Sequence, residues 1–557
     1  MPRYTTMATA ALAGCLTLGA ATAGAQSLTP VPSANPKAPG VVAPNVLSVE
    51  LDQVIRATGS MLLENPQSPA KYYGYNDDKP NLVPLPPPAA PGEAHKTEPD
   101  KNTYLVLRGQ RGADPSYDYG THFMFQGHES GPGAFPNQQG YITRINLDAD
   151  VAHRVTLMGT KDVAGNPLPV FDGSTWYPWA QRLLFTAEFG AAVTGGVWQA
   201  TLDVPSAVED ISGVLGRAGY EGIQADSAGQ LWLAEDVGGA SGAVNKQAKQ
   251  PNSFIYRFIP YDKSDLKAGG KLQVLAVKSK AHAGDILFNS VVADDDILSQ
   301  DVKDLHTYGL KFDTHWVTVH DTALDGSTPF DANGLAKGKG TPFKRPENGM
   351  FRPGTGFGEF FFTETGDTNA LTQAGRAFGG FGGLFKLSQR RPTDDHGTLS
   401  LFFLGDVAHT GLDNLAFLTR DHLLSVEDAG DGLHTQRNGL DSMFLFDVRL
   451  DYSNAANQPV RILAQGRDAS ATIDAHTGGL GNDGDNEITG IHVSDGDPAI
   501  NGVLGNKTPR PFDGRWRVFY TQQHGDNNTW EIIPNPGVAE AMNGDDKDHH
   551  HGWDDDD

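Results

Sequence analysis

The chain has 557 residues, and its 43 Lys and Arg against 68 Asp and Glu give a formal net charge of −25 at pH 7. Nucleic acids and anionic membranes bind basic surfaces, so this balance argues against either as a partner. A single Cys excludes an intramolecular disulfide and thiolate-rich zinc sites, while 66 Gly and 35 Pro are typical of short strands joined by turns.

Residues 1–25 have the pattern of an export signal. Arg3 precedes a largely apolar stretch from Met7 to Ala21, and Ala23-Gly24-Ala25 is a small-x-small cleavage site. A second interpretation is lipid anchoring at Cys15, although the apolar run continues past that residue. No apolar run is long enough to span a membrane, so we expect a periplasmic or extracellular protein.

Residues 26–102 are predicted to form a Pro-rich, irregular N-terminal extension, with Pro84 and Pro86-Pro87-Pro88 in its second half. Within it, the apolar positions between Leu47 and Leu63 predict a short helix. The main domain is predicted over residues 103–540. Residues 541–557 are an acidic tail rich in His and Asp, which we expect to be a solvated end.

From Thr103 onward one pattern recurs: a short apolar run ends in a carboxylate or amide, a Gly-rich loop follows, and a second alternating strand comes next. Six runs have this form, at 123–129, 183–188, 231–236, 360–364, 423–428 and 518–523. Six units with insertions predict an all-β fold, a six-bladed β-propeller. A double-sheet sandwich is the alternative, and missing helical periods argue against a TIM barrel.

Four units also have an upstream strand that begins with a carboxylate, namely Glu221, Glu347, Asp413 and Glu487. In a propeller the innermost strands line the central channel, so these side chains are expected at one mouth. The carboxylates that end the runs are expected nearby (Glu188, Glu235, Asp236, Glu364, Asp367, Glu427 and Asp428). Clustered carboxylates repel one another and favour a hard cation such as Ca²⁺. The alternative is that each carboxylate caps a turn or pairs with an Arg.

Arg345 precedes Glu347 by two residues, so both side chains point the same way on an extended strand. An Arg beside metal-bound carboxylates can hold a phosphate by two parallel hydrogen bonds, and metal plus Arg suits phosphoryl transfer. The alternative is a surface salt bridge. His128, His315 and His524 are lone histidines, which are more often structural, and 482–487 has many oxygen ligands without EF-hand spacing.

Several segments resemble the PhoX-type secreted alkaline phosphatases. These are Arg345-Pro346-Glu347, Asp413-Asn414-Leu415, Glu487-Ile488-Thr489-Gly490 and weaker matches from Gly127 to His524. The resemblance implies a six-bladed propeller carrying calcium and iron. It implies a phosphate-binding Arg345 and a metal-binding Glu347 as catalytic residues, with Glu188, Glu221, Asp413 and Glu487 as further metal ligands.

The sequence departs from this family in one metal ligand. Family members bind iron partly through a Cys before the Pro-Trp strand, where this chain has Asp172-Gly173-Ser174-Thr175. Calcium is therefore the expected ion, and an iron centre is less expected. The first hypothesis is an exported metal-dependent phosphomonoesterase acting on a small phosphorylated substrate. The alternatives are a non-catalytic, calcium-stabilised binding propeller and a phytase- or lactonase-like propeller hydrolase; the sequence leaves the oligomeric state open.

Overall fold

The structure is a computed structural model that describes residues 28–37, 43–67, 70–75, 97–129, 140–188, 195–244, 247–367, 375–428, 437–466, 487–523 and 527–537. Predictions for the export signal, the acidic tail, His524 and residues 482–486 lie outside these ranges. In the described part of the chain, no helix is long and apolar enough to cross a bilayer.

Short strands, most of them spanning five to eight residues, dominate the described chain. In chain order they are β1 (Val46–Leu47), β2 (Leu51–Ala57), β3 (Pro99–Val106), β4 (His122–His128), β5 (Ile142–Asn146), β6 (Val155–Gly159), β7 (Ser174–Tyr177), β8 (Arg182–Ala187), β9 (Gly196–Ala200), β10 (Val208–Asp210), β11 (Tyr220–Ala225), β12 (Leu231–Glu235), β13 (Ile255–Pro260), β14 (Gly270–Val277), β15 (Phe312–Asp321), β16 (Gly349–Phe351), β17 (Glu359–Glu364), β18 (Gly383–Ser388), β19 (His396–Leu404), β20 (Leu412–Phe417), β21 (His422–Glu427), β22 (Ser442–Asp447), β23 (Val460–Ala464), β24 (Ile488–Ser494), β25 (Arg517–Gln522) and β26 (Asn528–Pro534). The helices are shorter still: α1 (Ser212–Leu215), α2 (Ala293–Ile297), α3 (Gln300–Leu305), α4 (Thr322–Asp325), α5 (Ala332–Ala336) and four 3₁₀ turns (Val151–His153, Leu266–Ala268, Arg376–Phe378 and Ile500–Gly502).

The repeating unit is an antiparallel meander of four strands. The sheet orders are β3-β4-β5-β6, β7-β8-β9-β10, β20-β21-β22-β23-β1, β24-β25-β26-β2, and one nine-stranded sheet, β11-β12-β13-β14-β15-β19-β18-β17-β16. Two further meanders, β11–β14 and β16–β19, are joined in that last sheet by β15. The predicted all-β class and propeller-like arrangement are therefore confirmed.

The first strands of successive meanders lie next to one another. β3 contacts β7, β7 contacts β11, β11 contacts β16, β16 contacts β20, β20 contacts β24, and β24 contacts β3. These strands therefore enclose a common axis. All six runs predicted from the sequence are second strands of a meander, which explains why each follows an upstream strand.

The predicted helix between Leu47 and Leu63 is wrong. β1 pairs with β23, and β2 pairs with β26 from Leu51↔Pro534 to Ala57↔Thr529. Each adds an outermost strand to a sheet, and the hydrogen bonds of those open edges override the weak local helical pattern. β3 begins at Pro99, before the predicted boundary at residue 103, so part of the predicted extension belongs to the sheets.

Aromatic side chains fill the space between the two meanders of the nine-stranded sheet. The ring of Trp232 on β12 lies 5.0 Å from Trp316, 5.1 Å from Phe351 and 4.9 Å from Phe360, measured between centroids. Its indole N–H donates to Asp226 Oδ2 at 3.0 Å. This cluster joins β12, β15, β16 and β17, and so fixes the position of one meander of this sheet relative to the other.

We expect Trp232→Ala to lower the free energy of unfolding by about 3–5 kcal/mol, because it leaves a cavity in a packed aromatic cluster. Urea denaturation followed by circular dichroism measures this. Trp530, which is partly exposed, is the control: Trp530→Ala should cost clearly less. Equal costs for the two variants would show that the cluster has no special role.

Candidate metal centre

Nine carboxylates and Arg345 line a cavity of about 340 Å³ among the inner strands. The carboxylates belong to Asp100, Glu129, Asp172, Glu188, Glu221, Glu347, Asp413, Asp428 and Glu487. The structure thus brings together all five side chains predicted as metal ligands and the predicted phosphate-binding Arg345. It adds Asp100, Glu129, Asp172 and Asp428, of which none was predicted as a ligand.

β-Bulges place several of these carboxylates at the start of the inner strands. The pairing register shifts between Pro99 and Asn102 on β3, between Tyr220 and Ile223 on β11, and between Leu412 and Leu415 on β20. A bulge interrupts the alternation of side chains and redirects the residues within it. Asp100, Glu221 and Asp413 each lie inside such a bulge.

Two glycines allow the inner strands to approach closely beside these carboxylates. A Cβ at Gly173 would lie 1.7 Å from the carbonyl oxygen of Glu221, and one at Gly222 would lie 2.6 Å from that of Glu347. Larger residues would therefore push apart the backbones that carry Asp172, Glu221 and Glu347. The repeated acid–Gly pair, Asp172-Gly173 and Glu221-Gly222, is a signal that could have identified Asp172 from the sequence.

The carboxylates form three groups that share members. Oxygens of Asp100, Glu129 and Asp172 lie within 4.8 Å of one another, as do those of Asp172, Glu188 and Glu221, and those of Glu221, Glu347 and Asp413. Asp172 belongs to the first two groups and Glu221 to the last two. The arrangement is a row of three candidate cation positions bridged by two carboxylates.

Burial and mutual repulsion disfavour the charged form of these groups. Burial, with the charge of Asp413 next, raises the pKa of Asp100 to about 7, and burial together with Asp236 raises that of Glu188 to about 7. Burial also raises the pKa of Asp413 to about 6. Burial likewise raises the pKa values of five further residues well above their usual range: Glu129, Asp172, Glu221, Glu347 and Glu487.

Two pairs of carboxyl groups are close neighbours in the cavity, Glu129 with Glu188 and Glu347 with Asp413. Burial raises the pKa of Glu188 and of Asp413, and the interaction with the neighbouring carboxyl group offsets part of that rise. A cation bound between the members of a pair would satisfy the same oxygens.

The floor of the cavity is a chain of hydrogen bonds between neighbouring inner strands. Thr489 Oγ1 donates to Asp100 Oδ1 at 2.6 Å, and Asn414 Nδ2 donates to Thr489 Oγ1 at 3.2 Å and to Asp413 Oδ1 at 2.9 Å. The second oxygen of each carboxylate is bonded too, since Gln523 Nε2 donates to Asp100 Oδ2 at 3.0 Å and Asn414 Nδ2 lies 2.9 Å from Asp413 Oδ2. The remaining lone pairs are left for a ligand.

Lys101 is the second cation beside the cavity. Its ammonium is buried and donates to Asn348 Oδ1, while burial lowers its pKa against the opposing charges of Asp413, Asp172 and Asp100. Arg345 and Lys101 together cannot neutralise nine carboxylates.

Several carboxylates that were expected near the channel are bound elsewhere. Glu235 accepts from Tyr256 Oη at 2.9 Å and Asn333 Nδ2 at 3.0 Å. The other three are paired with basic side chains: Glu364 with His306 Nε2, Asp367 with Lys344 Nζ, and Glu427 with Arg437. For these four carboxylates the alternative interpretation, in which each pairs with a local partner, is the correct one.

The two predicted histidines that the structure describes lie outside the cavity lining. His128 is buried between Thr143 Oγ1 at 2.8 Å and Thr97 Oγ1 at 3.1 Å, and burial lowers its pKa. His315 lies 3.5 Å from Asp285 on the outer part of a sheet. Both have the structural environment that lone histidines usually have.

Arg345 is held in an unusual backbone conformation, with φ of 59°. That region is costly for a residue with a Cβ, so surrounding bonds must hold it there. Thr365 N donates to the Arg345 carbonyl at 2.9 Å, and Gly366 N donates to that of Lys344 at 3.1 Å. The guanidinium bonds to Asp236 through Nε at 2.9 and 2.8 Å and also through Nη2.

Two comparisons relate this chain to known proteins. The family model described as alkaline phosphatase PhoX matches residues 214–500. Among solved structures, Pseudomonas fluorescens PhoX in complex with vanadate, a transition state analogue, aligns with a TM-score of 0.52 and 11% identity, covering 92% of this chain and 98% of that one. At that identity the likeness shows the fold. No curated protein matches.

We expect metal-free protein to become less stable as pH rises from 5 to 8. A carboxylate whose folded pKa is raised holds its proton in the folded state between its unfolded pKa, about 4, and its folded value, here about 6 to 7, so folding stability is lost across that window. Thermal unfolding of protein stripped with EDTA and dialysed measures this.

Protein reloaded with Ca²⁺ is the control, because a cation favours the ionised carboxylates and should reduce or reverse the slope. Glu188→Gln should reduce the slope of the stripped protein. A melting temperature of stripped protein that rises between pH 5 and 8 would contradict the assignment.

Proposed function

Since this chain belongs to the PhoX alkaline phosphatase family, we propose that it is an exported, metal-dependent phosphomonoesterase whose active site is the acidic cavity. The observation that carries the proposal is the row of three carboxylate groups beside Arg345. The family assignment supports a small phosphorylated substrate and a location in the periplasm or outside the cell.

We further infer that the meanders form six blades. The four meanders in separate sheets and the two within the nine-stranded sheet would each supply one blade, with β15 as an insertion between two of them. The neighbour contacts of the six first strands support this count.

The donor set of the cavity fits hard cations. The members of the three groups all offer carboxylate oxygens, and burial raises their pKa values, so a bound cation would favour their ionised form. This suits Ca²⁺, and the absence of a Cys at 172–175 makes an iron centre of the thiolate-bound kind unsuitable. Asp172 and Glu221 would each hold two neighbouring ions.

The protein's own groups would bind and orient the phosphate. Nη1 of Arg345 is buried without a hydrogen-bond partner among the described residues, so it is the donor available to a phosphoryl oxygen. Bound cations supply Lewis-acid stabilisation of the charge that develops on the phosphoryl oxygens. Glu347, 3.3 Å from Arg345 Nη2, links the cation row to the arginine.

We expect Arg345→Ala to lower kcat/KM for p-nitrophenyl phosphate by about 10²–10³, the usual loss when one donor to transition-state charge is removed. Arg352 is the matched control: it pairs with Glu359 at 2.8 Å and with Asp421, and does not line the cavity. Arg352→Ala should keep wild-type turnover. Wild-type protein with Ca²⁺ or iron that hydrolyses no phosphomonoester would instead favour the binding propeller or the lactonase-like alternative.

We expect Glu221→Gln to reduce the rise in melting temperature that Ca²⁺ produces, because Glu221 belongs to two of the three groups. Glu235→Gln is a matched control, since Glu235 lies at the same end of the same hairpin, opposite Tyr220, yet points away from the cavity. It should lower the melting temperature equally with and without Ca²⁺. Identical responses of the two variants to Ca²⁺ would remove Glu221 from the cation row.

A further inference from the structure

One edge of the Arg345 guanidinium is fully occupied by Asp236. Nε lies 2.9 and 2.8 Å from the two carboxylate oxygens of Asp236, and Nη2 bonds to Oδ2 as well. This is the bidentate arrangement that gives an Arg–carboxylate pair its fixed orientation. The Asp236 side chain is 1% exposed and that of Arg345 18% exposed.

The opposite edge of the guanidinium has a different environment. Nη1 is buried and has no hydrogen-bond partner among the described residues, and the second contact of Nη2 is Glu347 Oε1 at 3.3 Å. An unpaired buried donor costs free energy unless a ligand satisfies it. The two parallel hydrogen bonds expected from the sequence are therefore made to Asp236, and Nη1 is what remains for a substrate.

Asp236 differs from the acidic residues around it. It belongs to none of the three carboxylate groups and does not line the cavity, whereas Glu347 and Asp428 do line it and attract Arg345 by their charge. Without Asp236 the guanidinium would be free to turn onto Glu347, which belongs to one of the three carboxylate groups, or onto Asp428. Asp236 N donates to the carbonyl of Gly219 at 2.7 Å, so its own position is fixed by the sheet.

We propose that Asp236 is a positioning residue that holds Arg345 by the Nε/Nη2 edge, so that Nη1 is directed to a phosphoryl oxygen and the guanidinium is kept off the cation-binding carboxylates. This inference rests on the proposed function and adds a residue to it. It predicts that loss of Asp236 weakens phosphate binding only because Arg345 is no longer held in position.

The test is isothermal titration of as-isolated protein with inorganic phosphate, with Asp236→Asn and Asp226→Asn compared to wild type. We expect Asp236→Asn to weaken phosphate binding about tenfold, and to raise KM for p-nitrophenyl phosphate more than it lowers kcat. Asp226 is the matched control, a buried Asp at the other end of the β11–β12 hairpin that bonds to Trp232. Asp226→Asn should lower the melting temperature and leave phosphate affinity at the wild-type value.

A double-mutant cycle separates positioning from a purely structural role. In an Arg345→Ala background, Asp236→Asn should weaken phosphate binding by less than about twofold. A tenfold loss in both backgrounds, or no loss in either, would overturn the role assigned to Asp236 while leaving the proposed function intact. Wild-type protein that binds neither phosphate nor vanadate would overturn the proposed function and this inference with it.

Discussion

Repulsion among buried carboxylates is the constraint on which the rest of this structure depends. Two carboxylates about 4 Å apart repel each other by about 4 kcal/mol at an effective dielectric of about 20, and this cavity brings nine together. Protons or cations must offset that repulsion. The raised pKa values favour bound protons in the metal-free protein, and the three groups of oxygens, which share Asp172 and Glu221, offer positions for cations instead.

The fold remains stable despite this repulsion because interactions outside the cavity stabilise it. The cavity carboxylates lie at the starts of the inner strands or just after the ends of the strands that pair with them. The rest of each strand is held by backbone hydrogen bonds to its neighbours and by aromatic packing such as the Trp232 cluster. Bulges and the glycines at 173 and 222 bring the carrying backbones close. Removing a cavity carboxylate would relieve repulsion, so these residues are better explained by ligand binding than by stability.

The strands could be predicted from the sequence, but the directions of their side chains could not. Period-2 runs bounded by Gly located the second strand of each meander, and the acid that opens the strand before it located Glu221 and Asp413. A bulge interrupts the alternation of side chains, so Glu221 enters the cavity while Glu235, at the same end of the hairpin, bonds to Tyr256. Asp100 was not predicted as a ligand because its strand begins in the segment that was predicted to be an irregular extension. The helix predicted over 47–63 is wrong because pairing with the edges of distant sheets determines the conformation of that segment.

Elemental analysis of the protein as isolated tests the central claim most directly. Polypeptide purified without chelator and dialysed against metal-free buffer should retain at least two equivalents of a hard metal, calcium first, and lose both the metal and several degrees of melting temperature when EDTA is added. Protein that carries no metal and melts at the same temperature with and without EDTA would contradict the account, because nothing but protons would then hold the carboxylates together.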